Sequence, residues 1–239
     1  MLHVSGKTIL ITGASKGIGK AIALSLAGLD TKLGLVARSK KELEALQAEV
    51  IALGSKAEIF VGSVDDEPFV NTTIQTMLQV FGQVDVLINN AGYGVFGNAE
   101  DITATDWDEQ FATNTKGTFL FCKAVIPGMK AVKNGHIINI ASDVAKRTFP
   151  GGSLYCASKY AQHAFSDAIR KELRPFEIKV SVVYSGLVDS SFHADPQGSA
   201  GHGDWLKNQD MANAIRYIIS QPKHVVIDEL MIHPLSQDY

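Results

Sequence analysis

The sequence predicts a three-layer α/β protein, built as one domain on a doubly wound parallel sheet of about seven strands. Short runs rich in β-branched residues alternate along the chain with longer segments in which apolar residues recur at helical spacing. Repeated strand–helix units favour a parallel sheet covered by helices on both faces, with right-handed crossovers. Because no linker, internal repeat or low-complexity tract interrupts the sequence, we predict a single domain over residues 1–239.

Each element follows from its local pattern. The predicted strands are 8–12, 32–37, 57–61, 84–88, 136–140, 179–184 and 225–231, and the predicted helices are 18–26, 40–53, 69–81, 105–129, 155–174 and 210–220. In the second helix, Leu43, Leu46 and Val50 repeat at helical spacing. The fourth helix has a weak point at Gly117, and Pro175 stops the fifth.

The least regular segment is 185–207, which is rich in Gly, Ser, His and Asp. We predict a mobile loop over the substrate site there. His193 and His202 are interpreted as solvated loop histidines. Trp205 either walls the pocket or anchors the loop in the core.

Composition limits the classes of function. A formal net charge of -3 implies no broad basic surface, so we expect no nucleic-acid partner. The chain shows no signal-peptide pattern and no apolar run long enough to span a bilayer, so we expect no membrane partner and a cytoplasmic location. Cys122 and Cys156 are too few for a disulfide framework, and the seven histidines show no metal-ligand spacing.

A glycine-rich loop follows the first predicted strand, in the run Thr12-Gly-Ala-Ser-Lys-Gly-Ile-Gly19. Gly13, Gly17 and Gly19 allow a tight turn and a close approach of a pyrophosphate to the backbone. The following helix offers free N–H groups and a positive dipole end to that anion. The spacing differs from G-x-G-x-x-G, and a purely structural strand–helix turn is the alternative interpretation.

The end of the second predicted strand indicates which dinucleotide binds. An NAD site has an acidic residue there for the ribose 2′-hydroxyl, whereas this chain has Arg38. A guanidinium suits a phosphate, and Lys16 adds a second positive charge nearby. We therefore predict NADP(H), with two solvated surface cations as the alternative.

Two residues on the predicted helix 155–174 suggest proton transfer. Tyr155 and Lys159 are four positions apart and therefore share one face of the helix. A neighbouring ammonium favours the phenolate and lowers the pKa of the phenol, so Tyr155 can act as base in alcohol oxidation and as acid in ketone reduction. Ser142, after the fifth strand, can bind the substrate oxygen. The alternatives are a partly exposed helix face and a capping or turn serine.

These segments together resemble the short-chain dehydrogenase/reductase family over almost the whole chain. The resemblance rests on the glycine-rich loop, Asn89-Asn-Ala-Gly92, Asn114, Ser142 and Tyr155-Cys-Ala-Ser-Lys159. It implies a Rossmann-type fold, a nicotinamide cofactor and a catalytic tetrad of Asn114, Ser142, Tyr155 and Lys159. In that tetrad, Asn114 would hold a water that connects Lys159 to solvent. Its alternative role is to satisfy backbone groups at a helix irregularity.

The resemblance also implies a set of cofactor contacts and a quaternary state. The implied cofactor-binding residues are Gly13, Ser15, Lys16, Gly17, Ile18, Gly19, Arg38, Val64, Asn90, Ala91, Gly92, Tyr155, Lys159, Gly186 and Val188. Asn89 would stabilise the central strand. A homotetramer or homodimer is implied, with helices 105–129 and 155–174 at the interface, although their apolar faces also fit an intrachain core.

Two positions depart from the family pattern. Ser185-Gly186 stands where the family usually has Pro-Gly, which puts the geometry of the loop beside the nicotinamide in question. Ser63, followed by Val64, stands where members often have an Asp near the adenine. For this position the resemblance therefore implies only that the backbone packs against the cofactor.

We therefore predict an NADP(H)-dependent oxidoreductase that interconverts a small alcohol, such as a hydroxy acid or a β-hydroxy amino acid, and its carbonyl. Residues 224–234 resemble the branch with 3-hydroxy acid and serine-type dehydrogenases and sepiapterin-type reductases. One alternative is a 3-oxoacyl-thioester reductase, which needs a basic docking patch; another is a non-catalytic NADP-binding sensor. Several residues have two possible roles at this point. Lys146 and Arg147 either contact a substrate carboxylate or are solvated, and with Lys207 they are the candidates for the docking patch. Tyr93, Phe96 and Phe149 either face the substrate or pack in the core.

Overall fold

The computed structural model describes residues 4–192 and 195–238, which alternate between strands and helices as the periodicity predicts. The strands are β1 Thr8–Thr12, β2 Lys32–Ala37, β3 Lys56–Val61, β4 Val86–Asn89, β5 Gly135–Ile140, β6 Ile178–Ser185, β7 Val188–Asp189, β8 Leu206–Lys207 and β9 Glu229–Ile232. The helices are α1 Gly17–Leu26, α2 Lys40–Ala52, α3 Glu67–Phe81, α4 Ala104–Phe111, α5 Gly117–Val132, α6 Ser153–Leu173 and α7 Asn208–Ile219.

Seven parallel strands form the central sheet, in the order β3-β2-β1-β4-β5-β6-β9. The strand order reverses at β1, which pairs with β2 on one side and β4 on the other. In open α/β sheets this reversal opens a crevice at the carboxyl ends of the strands, where ligands bind. The glycine-rich loop and the segment Asn90–Gly92 both begin at this crevice. The predicted fold class is confirmed.

Two hydrophobic cores cover the two faces of the sheet, because successive strand residues point to opposite sides. Ile9 and Ile11 of β1 pack with α1, α2 and α7, while Leu10 packs with α3, α5 and α6. Asp66 caps the start of α3 by accepting from the Phe69 N–H at 3.4 Å. The helices therefore sit in two layers around one buried sheet, as in other doubly wound domains.

The predicted helix 105–129 is two helices joined by a π-helical turn. The turn spans Ala112–Lys116 and ends directly before Gly117, the predicted weak point. Gly117 is required for packing, because a Cβ there would lie 2.6 Å from Cγ2 of Val64. The break thus comes one turn earlier than the sequence indicates, and it is a widened turn that carries Asn114.

The last predicted strand and the irregular segment also differ in detail. β9 is shorter than the predicted strand 225–231, because pairing with β6 starts only at Glu229, opposite Val182. Within 185–207, β7 and β8 form a short parallel ladder of their own. The mobility of this segment stays a prediction. No helix in residues 4–192 and 195–238 combines the length and apolarity needed to cross a bilayer.

Candidate active site

A cavity of about 710 Å3 occupies the crevice at the carboxyl ends of the strands. A second cavity, of about 470 Å3, adjoins it, and the two share Ile18, Asn90, Gly92, Ser190 and Phe192 in their walls. We call the first the cofactor cavity and the second the substrate cavity. A groove of this size that ends in a smaller, more apolar chamber suits a dinucleotide with a small substrate at one end.

The glycine-rich loop forms one wall of the cofactor cavity through Gly13, Ser15, Lys16, Gly17 and Ile18. Gly13 and Gly17 have φ of +65° and +57°, the left-handed region that favours glycine. Gly19 lies beneath the loop, where a Cβ would approach the Gly13 carbonyl oxygen to 2.2 Å. The loop could not turn this tightly with side chains at these positions.

Asn90 fixes the loop to the end of β4. Its Nδ2 donates to the carbonyl oxygens of Thr12 and Gly13, both at 3.1 Å. In return, Thr12 Oγ1 accepts from the backbone N–H groups of Asn90 and Ala91, at 3.0 and 3.1 Å. Ala91 and Gly92 continue this wall of the cofactor cavity. The two walls of the crevice are therefore held in one arrangement.

The amino end of α1 faces this cavity, and few protein groups compete with an anion for its backbone N–H groups. Lys16, at the cap position, makes no side-chain capping bond, and the first turn of α1 carries no acidic residue. Free N–H groups and the positive end of the helix dipole are what a pyrophosphate binds. The loop thus fits the phosphates of a dinucleotide.

Two cations and one carboxylate stand on the rim beyond the loop. Arg38 and Lys16 are exposed, line the cofactor cavity, and make no ion pair with any residue in the described ranges. Glu42, also exposed, shares the rim. The two cations outnumber the one carboxylate that the described residues place in this cavity wall, so the rim keeps a net positive charge and fits a ribose phosphate.

The residues after β3 form another part of the wall of the cofactor cavity. Ser63, in place of the common Asp, donates a hydrogen bond from Oγ to Asp65, and Val64 is buried against Gly117. Both residues line the cavity. Sequence reasoning did not identify the contact of Ser63 with Asp65, whose side chain is not part of the cavity wall.

Tyr155 lies at the base of the substrate cavity on α6. It is buried, and its ring stands edge-on to Phe96 with the centroids 5.4 Å apart. Burial raises the pKa of the phenol above its usual range, and a hydrogen bond with Ser142 acts in the opposite direction. The hydroxyl is therefore neutral in this environment and available as a proton donor.

Lys159 lies one turn further along α6, with Nζ 5.9 Å from the centroid of the Tyr155 ring. Its ammonium donates to the Ile140 carbonyl oxygen at 3.0 Å and to Gln162 Oε1 at 3.1 Å. Burial lowers the pKa of this lysine from 10.5 to about 8. Because both partners are neutral oxygens, the site carries a buried and only partly compensated positive charge.

That buried charge gives a stability prediction with a definite sign. Since the folded-state pKa is below that of an unfolded lysine, its penalty on folding is full at pH 7 and fades as pH rises from about 8 to 10.5. We expect Lys159→Met to raise the free energy of unfolding at pH 7 by on the order of 3 kcal/mol at most, and the melting temperature with it. Activity should be lost.

The measurement is thermal unfolding of both proteins, without ligand, between pH 7 and pH 10. The difference should shrink toward pH 10, and Lys171→Met, at an exposed lysine of the same helix, should change little. A lower melting temperature for Lys159→Met at pH 7 would mean that the lost hydrogen bonds outweigh the buried charge.

Asn114 lies behind Lys159 rather than in either cavity wall. Its Oδ1 accepts from the Tyr93 N–H at 3.0 Å, and its Nδ2 donates to the Tyr93 carbonyl oxygen at 2.9 Å and to Ser158 Oγ at 3.0 Å. A Cβ at Gly92 would stand 3.1 Å from Asn114 Oδ1 and 3.6 Å from Lys159 Nζ, so the three residues converge. Asn114 therefore does satisfy backbone groups; a bound water there stays a prediction.

Ser142 lies beside Tyr155 and has more than one partner. Its Oγ is 3.0 Å from Asp143 Oδ1 and 3.3 Å from the Ser185 carbonyl oxygen, and it accepts from the Val144 N–H at 3.4 Å. Ser142 thus caps the 3-10 turn Asp143–Ala145, which is the structural role given above as the alternative, and it also faces the substrate cavity. Capping this turn and binding a substrate oxygen are therefore compatible roles for the same hydroxyl.

Sequence reasoning missed a buried polar cluster around Asp143. Asp143 Oδ2 accepts from Arg147 Nε at 3.0 Å and from Gln237 Nε2 at 2.8 Å, and His233 Nε2 is 3.5 Å away. Gln237 Oε1 also accepts from the Leu187 N–H at 2.7 Å. Gln237 is 94 positions from Asp143, and no local signal in the sequence brings the two together.

The segment after β6 is held by this cluster in the absence of the usual proline. A Cβ at Gly186 would lie 2.2 Å from Gln237 Oε1 and 2.6 Å from His233 Cδ2, so the C-terminal segment approaches closely here and its side chains would have to shift to admit a larger residue. The Gly186 N–H donates to the Ile232 carbonyl oxygen at 2.9 Å. Gly186 and Val188, predicted as cofactor contacts, line the substrate cavity.

Comparison with known proteins agrees with this architecture. A sequence model described as short chain dehydrogenase matches residues 7–198. The chain belongs to the short-chain dehydrogenase family. An uncharacterised oxidoreductase of Staphylococcus aureus (strain MRSA252) is 32% identical over 235 residues, which cover 98% of this chain and 100% of that protein. This short-chain dehydrogenase is thus an oxidoreductase, and the resemblance predicted from its motifs is confirmed.

Two solved structures are similar over nearly the whole length. An alcohol dehydrogenase from the archaeon Thermococcus sibiricus, complexed with 5-hydroxy-NADP, has a TM-score of 0.92 and 31% identity, with 98% of each chain covered. Serine dehydrogenase from Escherichia coli has a TM-score of 0.86 and 27% identity, covering 97% of this chain and 100% of that one.

The remaining predicted residues divide between the cavities and the surface of this short-chain dehydrogenase. Phe96 and Phe149 line the substrate cavity, whereas Tyr93 faces the cofactor cavity. Lys146 turns away from the site, since Nζ pairs with Glu229 at 2.6 Å.

The predictions for the segment 185–207 are corrected in part. His202 is buried, not solvated: Nδ1 is 3.1 Å from Asp189 Oδ1 and the ring stacks on Trp205 with centroids 3.9 Å apart. Trp205 therefore anchors the segment. Lys207 pairs with Asp189 at 3.2 Å. His193 lies outside the described residues.

Proposed function

We propose that this short-chain dehydrogenase interconverts a small alcohol and its carbonyl compound, with NADP(H) as cofactor and Tyr155 as the acid and base. The observation that carries the proposal is the meeting of Ser142, Tyr155 and Lys159 in one chamber, at the end of a cavity that fits a dinucleotide. A hydroxyl pair next to a buried ammonium is suited to proton exchange with a substrate oxygen.

The residues that would hold the cofactor follow the wall of its cavity. The amides at the start of α1 would bind the pyrophosphate, Asn90 to Gly92 would line the middle, and Arg38 with Lys16 would bind the 2′-phosphate. The archaeal alcohol dehydrogenase, similar over 98% of its length, carries 5-hydroxy-NADP, which supports the same cofactor here. When bound, NADP(H) supplies or accepts the hydride.

The side chains of the substrate cavity would handle the proton and the orientation of the substrate. Tyr155 would donate its hydroxyl proton to the carbonyl oxygen during reduction and take it back from the alcohol during oxidation. Lys159, with Nζ 5.9 Å from the centroid of the Tyr155 ring, would favour the phenolate by its charge, whereas burial raises the pKa of the phenol. Ser142 would share a hydrogen bond with the same oxygen.

The two rival functions have less support. A sensor that only binds NADP has no need of a buried lysine and a buried tyrosine at the substrate end of the cavity, where they cost folding free energy. A reductase of carrier-bound thioesters needs free cations near the cavity mouth. Lys146, Arg147 and Lys207 are instead each paired with a carboxylate, so they form no such patch.

We also propose a homodimer or homotetramer in the cytoplasm. Helices α4, α5 and α6 carry large apolar side chains at the surface, among them Trp107, Phe119 and Tyr160. Exposed aromatic residues on neighbouring helices are typical of a surface that another subunit covers. Size-exclusion chromatography with light scattering would test this, and a monomer at micromolar concentration would contradict it.

The function is tested by following NADPH oxidation with a panel of small ketones and aldehydes. The reverse reaction would use NADP with 3-hydroxy acids, β-hydroxy amino acids and uncharged secondary alcohols. We expect turnover with at least one carbonyl–alcohol pair in both directions. Tight NADPH binding together with no turnover across the panel would favour the sensor instead.

A further inference from the structure

We propose that the substrate cavity selects an uncharged carbonyl compound with an aromatic or other apolar substituent, and disfavours substrates that carry a carboxylate. This inference rests on the proposed alcohol–carbonyl function and narrows its substrate class. It depends on two features of the cavity: an aromatic wall that is only partly covered, and a cation that is already paired.

The aromatic wall consists of Phe96, Phe149 and Phe192 around Tyr155. The ring centroids of Phe96 and Phe192 each lie 5.4 Å from that of Tyr155, and Phe149 lies 6.1 Å from Phe96. Phe96 and Phe149 nevertheless keep 50% and 37% of their surface exposed. Both rings line the substrate cavity, and Phe149 also borders a separate outer cavity with Cys156 and Tyr160. The part of this apolar surface that faces the substrate cavity is what a ligand of matching character would cover.

Aliphatic side chains in the wall are also consistent with an apolar substrate. Val144, Leu187 and Val188 line the chamber beside the aromatic rings. One group of polar side chains lies around Ser142 and Tyr155, where the oxygen of the substrate would sit, and Asn90 and Ser190 lie where this chamber meets the cofactor cavity. One polar end and an apolar body are the features expected of a ketone or secondary alcohol with a hydrophobic substituent.

Arg147 is the cation, besides Lys159, that the described residues place in this chamber. Its guanidinium is bound to Asp143: Nε donates to Oδ2 at 3.0 Å, and Nη2 contacts the same oxygen. The side chain of Asp143 is only 4% exposed, and its two oxygens also interact with Ser142 and Gln237. The pair is thus neutral overall and already hydrogen-bonded.

A substrate carboxylate would have to compete with Asp143 for this guanidinium. Drawing Arg147 away would leave a buried carboxylate without its counter-charge, which is strongly unfavourable. Leaving the pair intact would place two carboxylates close together in a chamber of low polarity, which is also unfavourable. An uncharged substrate incurs neither penalty.

The first experiment compares matched substrates in NADPH-dependent reduction by the wild-type protein. 3-Oxobutanoate and its methyl ester differ mainly in charge, and butan-2-one and 4-phenylbutan-2-one differ in the aromatic group. We expect kcat/KM to favour the ester over the acid, and the phenyl ketone over butan-2-one, each by about tenfold or more.

A kcat/KM for 3-oxobutanoate equal to or higher than that for its methyl ester would overturn the inference while leaving the proposed function in place. Failure to reduce any ketone, beside tight NADPH binding, would be a different result and would overturn the proposed function and this inference together.

Two variants assign the selectivity to the named residues. Phe149→Ala should lower kcat/KM for 4-phenylbutan-2-one by about tenfold with little effect on butan-2-one. Tyr217→Ala removes an exposed aromatic side chain of α7, which lines neither cavity and lies on none of the helices proposed for the subunit interface, and it should change neither value. Equal loss on both ketones in Phe149→Ala would contradict the role of the aromatic wall.

Asp143→Asn keeps the shape of the cluster and removes its negative charge. The variant removes the carboxylate that competes with and repels a substrate carboxylate, so the preference for the ester over the acid should fall by about tenfold, whatever the overall activity becomes. An unchanged ratio in a folded variant would contradict the role of the Asp143–Arg147 pair.

Discussion

Replacing Tyr155 by phenylalanine is expected to lower turnover by about 10² to 10⁴-fold or below detection, while NADPH binding changes little. The substitution removes a single oxygen at the base of the substrate cavity and keeps the ring that packs on Phe96 and Phe192. The proton would then have no donor within the chamber of comparable position, because the Lys159 ammonium is already bound to two oxygens.

The measurement combines NADPH fluorescence titration with steady-state kinetics on the best ketone of the panel. Tyr184→Phe is a matched control, since Tyr184 is buried and its hydroxyl bonds His163 Nδ1 at 2.7 Å, outside both cavities. That control should stay within a few-fold of the wild type. Activity retained in Tyr155→Phe would mean that another group handles the proton.

Replacing Arg38 by aspartate is expected to shift cofactor preference from NADP toward NAD by about 10- to 100-fold in the ratio of kcat/KM values. The guanidinium would be lost as a partner of the 2′-phosphate, and the new carboxylate would repel that phosphate and accept from a free 2′-hydroxyl. Glu42 already stands on the same rim, so a second acid would make this part of the cavity negative.

The ratio is obtained from kinetics with both cofactors at one ionic strength, since exposed charges are screened by salt. Lys41→Asp makes the same change of charge three residues further on, outside the lining of the cofactor cavity, and serves as control. An unchanged ratio in Arg38→Asp would show that the phosphate is bound elsewhere, and Lys16 would be the next residue to change.

Much of this site could be predicted because its parts are encoded locally. Buried parallel strands are short apolar runs, and the polar residues that follow them meet at one edge of the sheet. Gly13, Asn90 and Ser142 each follow such a run, so their convergence was predictable from the order of elements alone. The helical spacing of Tyr155 and Lys159 predicted their shared face in the same way.

The parts that could not be predicted depend on contacts between distant segments. The π-helical turn at Asn114 has no marker in the local sequence, because the same residues are compatible with a regular helix. The Asp143 cluster joins residues 94 positions apart. His202 was interpreted as solvated from its polar surroundings in the chain, whereas burial depends on Asp189 and Trp205 reaching it in the fold.

The bond between Gln237 and Asp143 has a practical consequence for handling the protein. A purification tag appended after residue 239 would follow Gln237 by two residues in the chain, and the side chain of Gln237 joins the loops after β5 and β6. Because Gln237 lines the substrate cavity, such a tag would disturb that wall, and the weak activity that results could be misread as evidence that the wrong substrate was tested. Tags placed ahead of Met1, or cleaved before assay, keep substrate profiling independent of cloning choices.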